Sequence, residues 1–200
     1  YHWDYIRYPQ QDSGYNDVAI ARYNAEFGLS GKPTASDSQF SSWRRRQITD
    51  FLRWVNSEIL AVKPEIAIGC SVFANRYDAY TYRFQDWAAW NTEGSIDLCF
   101  PMNYTATNST FNSRVDDAYA NQGCRWVIMG PGAYLNTKEN TVVQLNYCRN
   151  TPLNGTCLYS YAVPNSGTVD QAGTFSYIKT NYQPTYESVP LLPWKATPTK

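Results

Sequence analysis

The chain has 200 residues, which suits one domain, and 43% of them are hydrophobic, enough for a substantial core. Its 17 basic and 17 acidic residues balance, so the composition does not indicate a nucleic acid or an anionic membrane as partner. No apolar run approaches the roughly 20 residues that a membrane span needs.

The first segment, residues 1–9, reads YHWDYIRYP and predicts a strand over residues 3–8 that ends in a proline stop. A polar stretch over residues 10–42 follows, and we expect it to hold a short helix near residues 17–27 and to form a loop over one face. Residues 42–62 form the clearest predicted helix, with apolar residues at helical spacing and Ser41 or Ser42 as its cap.

Three arginines, Arg44, Arg45 and Arg46, open this predicted helix. A basic triplet normally forms a solvated face, and at a helix N-terminus it opposes the helix dipole. This conflict points to a carboxylate partner or a ligand close to the triplet.

The rest of the chain alternates between strands and helices. The predicted strands cover residues 66–73, 96–104, 126–129 and 156–161, and the predicted helices cover residues 84–92, the region of Ala118, and residues 140–148 and 169–180. Residues 183–200 contain four prolines and are predicted as an extended wrap or linker, which divides the chain into a domain over residues 1–182 and a C-terminal tail.

Strands that alternate with helices predict right-handed βαβ units and a parallel sheet, and so an α/β fold. A doubly wound sheet is the first alternative, but no glycine-rich phosphate loop follows any predicted strand. The strands end in polar and aromatic residues, which favours a (β/α)8 TIM barrel of about 250 residues. Because only five strands are predicted, we expect a partial barrel from which about three βα units are absent.

Aromatic residues are abundant, with 17 Tyr, 7 Trp and 8 Phe. They favour strands and a packed core, but they also suit a sugar-binding cleft in which rings stack on pyranose faces. Composition alone leaves both interpretations open.

The five cysteines show no metal-binding spacing and the chain has one histidine, so we expect no metal site and no cofactor. Cys70 and Cys99 lie in apolar strand runs and are predicted to be buried thiols. Cys148 could bridge to Cys157, and Cys124 could bridge to either, which would fit an exported protein.

Several motifs occur in the order of a known family. The segments are HWDYIRYP at residues 2–9, IGCSVFA at residues 68–74, DWAAW at residues 86–90, and GSID through PMNY at residues 94–104. Together they resemble the glycoside-hydrolase-family-10-like proteins (GHL10), which are bacterial TIM-barrel proteins, mostly exported. The sequence departs from the family pattern at Val72, where proline is usual, at Ala74, where glycine is usual, and at Met102, where glutamine is usual.

The resemblance implies that the chain contributes strands four to eight of a barrel, with Tyr1 in strand four. It also implies an extracellular or periplasmic location and a glycan substrate, since family members are reported or presumed to hydrolyse glycans, including peptide-free peptidoglycan strands. Under this interpretation the protein has no membrane span and no nucleic-acid partner, and a second chain or copy could complete the barrel.

Glycoside hydrolysis needs two carboxyl groups that flank the scissile bond. Asp4 is the first candidate, because it lies near the end of a strand and Arg7 could hold it ionised; the alternative is an ion pair that only fixes the loop. Asp78, in the loop predicted after residues 66–73, is the second candidate, with a solvated loop acid as the alternative. Asp86 is predicted as a helix cap and Asp97 as a structural acid on the opposite face, so the second carboxylate could also lie in the absent strands.

A set of residues at the predicted strand ends is expected to line one rim and to contact substrate. These residues are Trp3, Arg7, Tyr8, Phe73, Asn75, Asn103, Tyr104, Tyr134 and Tyr161.

Three hypotheses follow from the sequence. The first is a glycan hydrolase in which Asp4 is the nucleophile or a stabilising carboxylate. The second is a non-catalytic carbohydrate-binding or structural module, and it is supported by the missing second acid and the three altered positions. The third is an assembly subunit, because a five-stranded partial barrel would expose two sheet edges.

Overall fold

The computed structural model describes residues 1–161 and 171–195, and it has an α/β fold with five parallel strands. The strands are β1 (His2–Trp3), β2 (Gly69–Phe73), β3 (Leu98–Asn103), β4 (Trp126–Pro131) and β5 (Gly155–Thr156). The seven α-helices of the described part are α1 (Asp17–Phe27), α2 (Ser38–Val62), α3 (Arg76–Tyr82), α4 (Trp87–Glu93), α5 (Asn108–Ala120), α6 (Lys138–Asn150) and α7 (Gln171–Asn181).

The strands follow one another across the sheet in chain order, and each neighbouring pair is parallel. The carboxyl ends of all five strands therefore meet at one edge of the sheet. This arrangement is compatible with part of a TIM barrel, and it confirms the predicted α/β class.

The two faces of the sheet are buried to different degrees. On one face, alternate strand side chains are almost fully buried in the main core, where they pack with residues of α4 and α5. These strand residues are Cys70, Val72, Cys99, Val127 and Met129. Side chains on the other face are only half-buried, among them Ser71, Phe73, Phe100, Met102 and Ile128. The helices thus cover one face, and the other face stays partly open.

The N-terminal strand is shorter than predicted. β1 ends at Trp3, and the chain bends away because Tyr5 adopts a left-handed backbone conformation with φ +55°. The aromatic and β-branched residues over residues 3–8 favour a strand, but a single bulky residue at positive φ ends it early.

Helix α2 begins four residues earlier than predicted. Asp37 is its cap and accepts a hydrogen bond from the Phe40 backbone N at 2.7 Å, so neither Ser41 nor Ser42 caps the helix. The arginine triplet therefore begins six residues after the start of the helix rather than at the terminus, and the conflict with the helix dipole is relieved.

Arg44 does not lie on a solvated face, because its side chain is fully buried. Its guanidinium donates hydrogen bonds to the backbone oxygens of Gln11, Ser13 and Ala35 and lies 3.9 Å from the centroid of the Phe84 ring. For Arg44 these carbonyl oxygens take the place of a carboxylate, and they tie the β1–α1 segment to α2. The expected carboxylate partner is found at Arg46, which forms an ion pair with Glu26 of α1.

The helix predicted over residues 84–92 is found as α4, and the segment before it, which was predicted as a loop, forms α3. Asn75 caps α3, and Asp86 caps α4 as predicted. Phe84, with φ +58°, lies between them. The structure thus has a helix, α3, where the sequence predicted a loop.

The C-terminal part of the sheet is also shorter than predicted. β5 covers only Gly155–Thr156, and Tyr159 adds an isolated parallel bridge to Gly132. The helix predicted over residues 169–180 is found as α7, although residues 162–170 lie outside the described part of the chain.

The tail packs against the strand ends opposite those that carry Asp4 and Phe73. Trp194 lies in a short 3-10 turn, donates a hydrogen bond to Asp97 at 2.5 Å and meets the Trp126 ring edge to face at 5.8 Å. Lys195 forms an ion pair with Asp97 at 3.2 Å. The tail therefore forms a wrap at this point rather than a free linker.

All five cysteines are free thiols, so none of the considered disulfide bridges is present. Cys70 and Cys99 are buried as predicted, and burial raises the pKa of the Cys70 thiol to about 12. None of the described helices is long and apolar enough to cross a membrane.

Candidate active site

Asp4 is the most accessible carboxylate at the carboxyl edge of the sheet. It directly follows β1, and its side chain is 56% exposed. Its Oδ1 accepts a hydrogen bond from the Tyr5 backbone N at 2.8 Å. The left-handed conformation of Tyr5 turns the chain at this point, so Asp4 is presented at the end of the strand.

Arg7 lies beside Asp4. Its guanidinium is 3.9 Å from the Asp4 carboxylate, 4.4 Å from the centroid of the Tyr5 ring and 5.1 Å from that of the Phe73 ring. Arg7 is 14% exposed and is held in place by these ring contacts, whereas Asp4 stays open to water. Arg7 thus links the end of β1 to the end of β2.

The loop that carries Asp4 and Arg7 is held by the turn between α3 and α4. The buried Gln85 side chain donates a hydrogen bond to the Ile6 backbone oxygen at 3.1 Å and accepts one from the Phe73 backbone N at 3.0 Å. The Tyr8 backbone N donates to the Arg83 backbone oxygen at 3.0 Å. No sequence pattern indicates the role of Gln85, because its partners are backbone atoms far along the chain.

Three tyrosines form a cluster at the ends of β3, β4 and β5. The Tyr104 and Tyr159 rings stack at 5.2 Å with an interplanar angle of 24°, and Tyr134 meets both rings edge to face. Gly132 permits this packing, because a Cβ atom there would lie 3.2 Å from atoms of Tyr104 and Tyr134. Tyr159, which is 51% exposed, offers an aromatic surface to solvent.

Tyr159 was absent from the predicted contact residues, although Tyr161 was among them. A spacing of two residues keeps the same face of a strand, so both tyrosines fitted the same pattern. In the structure Tyr161 is 81% exposed and lies against Phe175 of α7, at 5.5 Å between ring centroids. The ring contacts with Tyr104 and Tyr134 belong to Tyr159.

The electrostatics link Asp4 to the tyrosine cluster. Burial raises the pKa of Tyr104, and the neighbouring Tyr159, Tyr134 and Asp4 raise it further. The Tyr104 phenol therefore remains protonated, and can donate a hydrogen bond, over the whole physiological pH range.

His2 was not predicted to belong to the site, but it lies beside Asp4. Its Nε2 is 2.8 Å from Ser71 Oγ, and its ring meets Phe100 edge to face at 5.0 Å. Burial lowers the pKa of His2, while Asp4 opposes this effect. An uncharged imidazole is therefore favoured near neutral pH, within the open face of the sheet.

Asp78 lies in the first turn of α3 rather than in the predicted free loop. It forms an ion pair with Arg83 at 3.6 Å, and the Arg83 guanidinium lies 4.7 Å from the centroid of the Phe73 ring. Phe73 therefore contacts both arginines that pair with the two candidate carboxylates, Arg7 with Asp4 and Arg83 with Asp78.

Three of the predicted contact residues serve packing instead. Trp3 meets the Phe51 ring of α2 at 5.2 Å, so it faces the helix layer. Tyr8 is half-buried against Phe84 at 5.3 Å. Asn103 is fully buried and donates a hydrogen bond to the Phe111 backbone oxygen at 3.0 Å, so it is closed to a ligand.

The remaining acids behave as the sequence predicted. Asp86 accepts a hydrogen bond from the Ala89 backbone N at 3.4 Å as the cap of α4, and burial raises the pKa of this carboxyl group. Asp97 is buried and accepts a hydrogen bond from the Ile68 backbone N at 2.8 Å. Among the described residues there is no group of three or more His, Cys, Asp or Glu that could hold a metal ion.

The chain was compared with known proteins. None of the curated proteins searched matches it. Residues 2–137 match the family described as glycosyl hydrolase-like 10, a stretch that includes Asp4, Phe73, Asp78 and Tyr134. The chain belongs to the glycosyl hydrolase-like 10 family.

Proposed function

We propose that the protein hydrolyses a polysaccharide or the glycan of peptidoglycan by carboxylate chemistry. The observation that supports this most is the exposed Asp4 at the carboxyl edge of a parallel sheet, on the same edge as the stacked Tyr104 and Tyr159 rings. Active sites of barrel enzymes lie at this edge. Rings of this kind suit the apolar faces of sugars.

In the proposed mechanism Asp4 acts as nucleophile or as a carboxylate that stabilises the oxocarbenium-like transition state. Arg7 would orient Asp4, Tyr104 would donate a hydrogen bond to substrate, and Tyr159 would stack on a sugar ring. Asp78 remains the candidate for the second carboxylate, and Asn75 and Tyr134 remain candidate contacts on the same edge.

We further propose that the five strands correspond to strands four to eight of a TIM barrel, and that residues 1–182 form the barrel domain. The half-buried face with Ser71, Phe100 and Met102 supports this, since the interior of a complete barrel is filled by such side chains. Strands from elsewhere in the polypeptide, or from a second chain or copy, would pair with β1 and bury that face.

A non-catalytic carbohydrate-binding module is the second candidate. The observation that favours it is the ion pair between Asp78, the second candidate carboxylate, and Arg83. The altered Val72 and Ala74 do not support it, because both side chains are buried in the core and do not reach the open edge.

The decisive assay measures new reducing ends after incubation with peptide-free peptidoglycan strands and with neutral β-glycans. The proposal expects release from at least one glycan, and loss of release in Asp4→Asn. Binding of a glycan without any release would instead support the carbohydrate-binding module. Release that is equal in Asp4→Asn and the unsubstituted protein would overturn the assignment of Asp4.

The proposed location is extracellular or periplasmic, in keeping with a polymeric glycan substrate. Fractionation of the cells that make the protein tests this. Recovery only from the cytosol would contradict it.

A further inference from the structure

A groove lies between α3 and α5, next to the candidate active site. Its cavity volume is about 550 Å³. One wall begins at Ala74 and Asn75, directly after β2, and continues along α3; the opposite wall is formed by residues of α5. Asn75 is two residues beyond Phe73, a distance of at most about 7 Å along the chain, so the groove opens close to the rim.

The groove carries an uncompensated positive charge. Arg76 and Asp117 neutralise each other through three hydrogen bonds of 3.1–3.2 Å. Arg114 also lines the groove, but its guanidinium donates only a long hydrogen bond of 3.4 Å to Asn103 Oδ1. Within residues 1–161 and 171–195, no carboxylate lies within ion-pair distance of Arg114.

The walls of the groove also offer groups that suit a sugar. Ser109, Thr110 and Ser113 line it, and their hydroxyl groups have no hydrogen-bond partner in the described part of the chain. Tyr77 is 68% exposed, and its ring is held edge to face by Tyr82 at 6.0 Å. Hydroxyl groups and a fixed, exposed aromatic ring are the contacts that sugars make.

We propose that this groove is a subsite for a sugar unit that bears a carboxylate, part of the same glycan that crosses the rim at Asp4. Arg114 would bind the carboxylate, since a guanidinium matches the geometry of two carboxylate oxygens. Tyr77 would stack on the sugar ring, and the hydroxyl groups of α5 would bind its oxygens. The inference rests on the proposed glycan function and adds the charge of the substrate.

The test compares one oligosaccharide with and without its carboxylates. The probes are cello-oligosaccharides of one length and the same oligomers with their C6 hydroxymethyl groups oxidised to carboxylates. Calorimetric titration of the full chain carrying Asp4→Asn, which prevents turnover, should show about tenfold tighter binding of the oxidised form. Added salt should reduce this preference.

Substitutions identify the residue that causes the preference for the oxidised oligomer. Arg114→Gln should reduce the preference to about onefold while leaving the affinity for the neutral oligomer unchanged, and Arg114→Lys should retain part of it. Arg22→Gln, the same change at an exposed position on α1, should retain all of it. Thermal unfolding of each variant shows whether the fold is intact.

Equal affinity for the two oligomers, or a preference that survives Arg114→Gln, would overturn the subsite. Full displacement of the oxidised oligomer by free acetate at the same concentration would show a site for any small anion, which also overturns it. Hydrolysis of neutral glycans without a carboxylate preference would overturn the subsite alone. Failure to bind or hydrolyse any glycan would overturn the proposed function as well.

Discussion

Tyr5 determines how Asp4 is presented. A tyrosine at φ +55° is uncommon and costs on the order of 1 kcal/mol or more, so the surrounding contacts must hold it there. Arg7 packs on the Tyr5 ring, and the buried Gln85 fixes the Ile6 backbone. Strained backbone of this kind is common at functional sites, which agrees with the role proposed for Asp4.

Tyr159 allows a test of the aromatic surface at the level of one residue. Tyr159→Ala should weaken glycan binding about fivefold to tenfold, because a stacked ring contributes roughly 1 kcal/mol beyond its buried area. Calorimetric titration with a glycan that the unsubstituted protein binds measures the change in affinity. Tyr186→Ala, at a tail position that is 91% exposed, is the control and should bind normally; equal affinities of the two variants would contradict the role of Tyr159.

The raised pKa of Asp86 predicts that the stability of the fold depends on pH. Its pKa is raised in the folded chain by burial, so the folded state binds the proton more tightly than the unfolded state does. The stability that the protonated group contributes is therefore lost as the pH rises from the ordinary carboxyl pKa through the raised value.

Asp86→Asn keeps a side chain that caps helices well and removes the buried charge. It should raise the melting temperature at pH 7 and change it much less near pH 4. Asp17→Asn, an exposed acid in the first turn of α1, should give no such rise. A lower melting temperature of Asp86→Asn at pH 7 would contradict the account.

At the scale of elements, the ends of strands and helices were harder to predict than their existence. α1 was predicted near the bounds that the structure shows, and in the structure Asn16 and Gly28 cap it. Helix α3 occupies a segment that was predicted as a loop. The end of β1 and the turn between α3 and α4 depend on Tyr5 and Phe84 at positive φ. Neither residue type signals that conformation, so only the tertiary structure reveals it.

The attachment of the β1–α1 segment to α2 depends on Arg44. Arg44→Ala would leave three backbone oxygens without their donor and open a cavity beside Phe84, so we expect a loss of about 3 kcal/mol in unfolding free energy. Urea denaturation measures the loss. Arg45→Ala, a less buried neighbour that packs on Tyr80, should cost less than about 1 kcal/mol; similar losses would show that the buried network is unimportant.

At the scale of the whole molecule, the tail stabilises the sheet from the edge opposite the candidate site. Trp194→Ala removes the indole that bonds to Asp97 and packs on Trp126, so unfolding free energy should fall by about 2 kcal/mol. Leu191→Ala, at a position that is 91% exposed, should change it by less than about 0.5 kcal/mol. Equal midpoints in urea for the two variants would show that the tail contributes nothing.

The overall α/β class followed from the alternation of strands and helices, and the family from motifs around Asp4, Asp86 and Asp97. The site was predicted only in part. Trp3, Tyr8 and Asn103 satisfy the same sequence pattern as the other predicted contact residues, and the face on which each lies depends on where its strand ends. His2 and Gln85 were missed because their partners, Ser71 and Ile6, are distant along the chain.

The most direct test of the central claim is the ratio of kcat/KM between the unsubstituted protein and Asp4→Asn on a glycan that the protein hydrolyses. If Asp4 carries the chemistry, the amide should lower kcat/KM about a thousandfold or more without lowering the melting temperature. Asp12→Asn, an exposed acid in the following segment, should leave kcat/KM unchanged. A rate for Asp4→Asn that equals the rate of the unsubstituted protein would contradict the account.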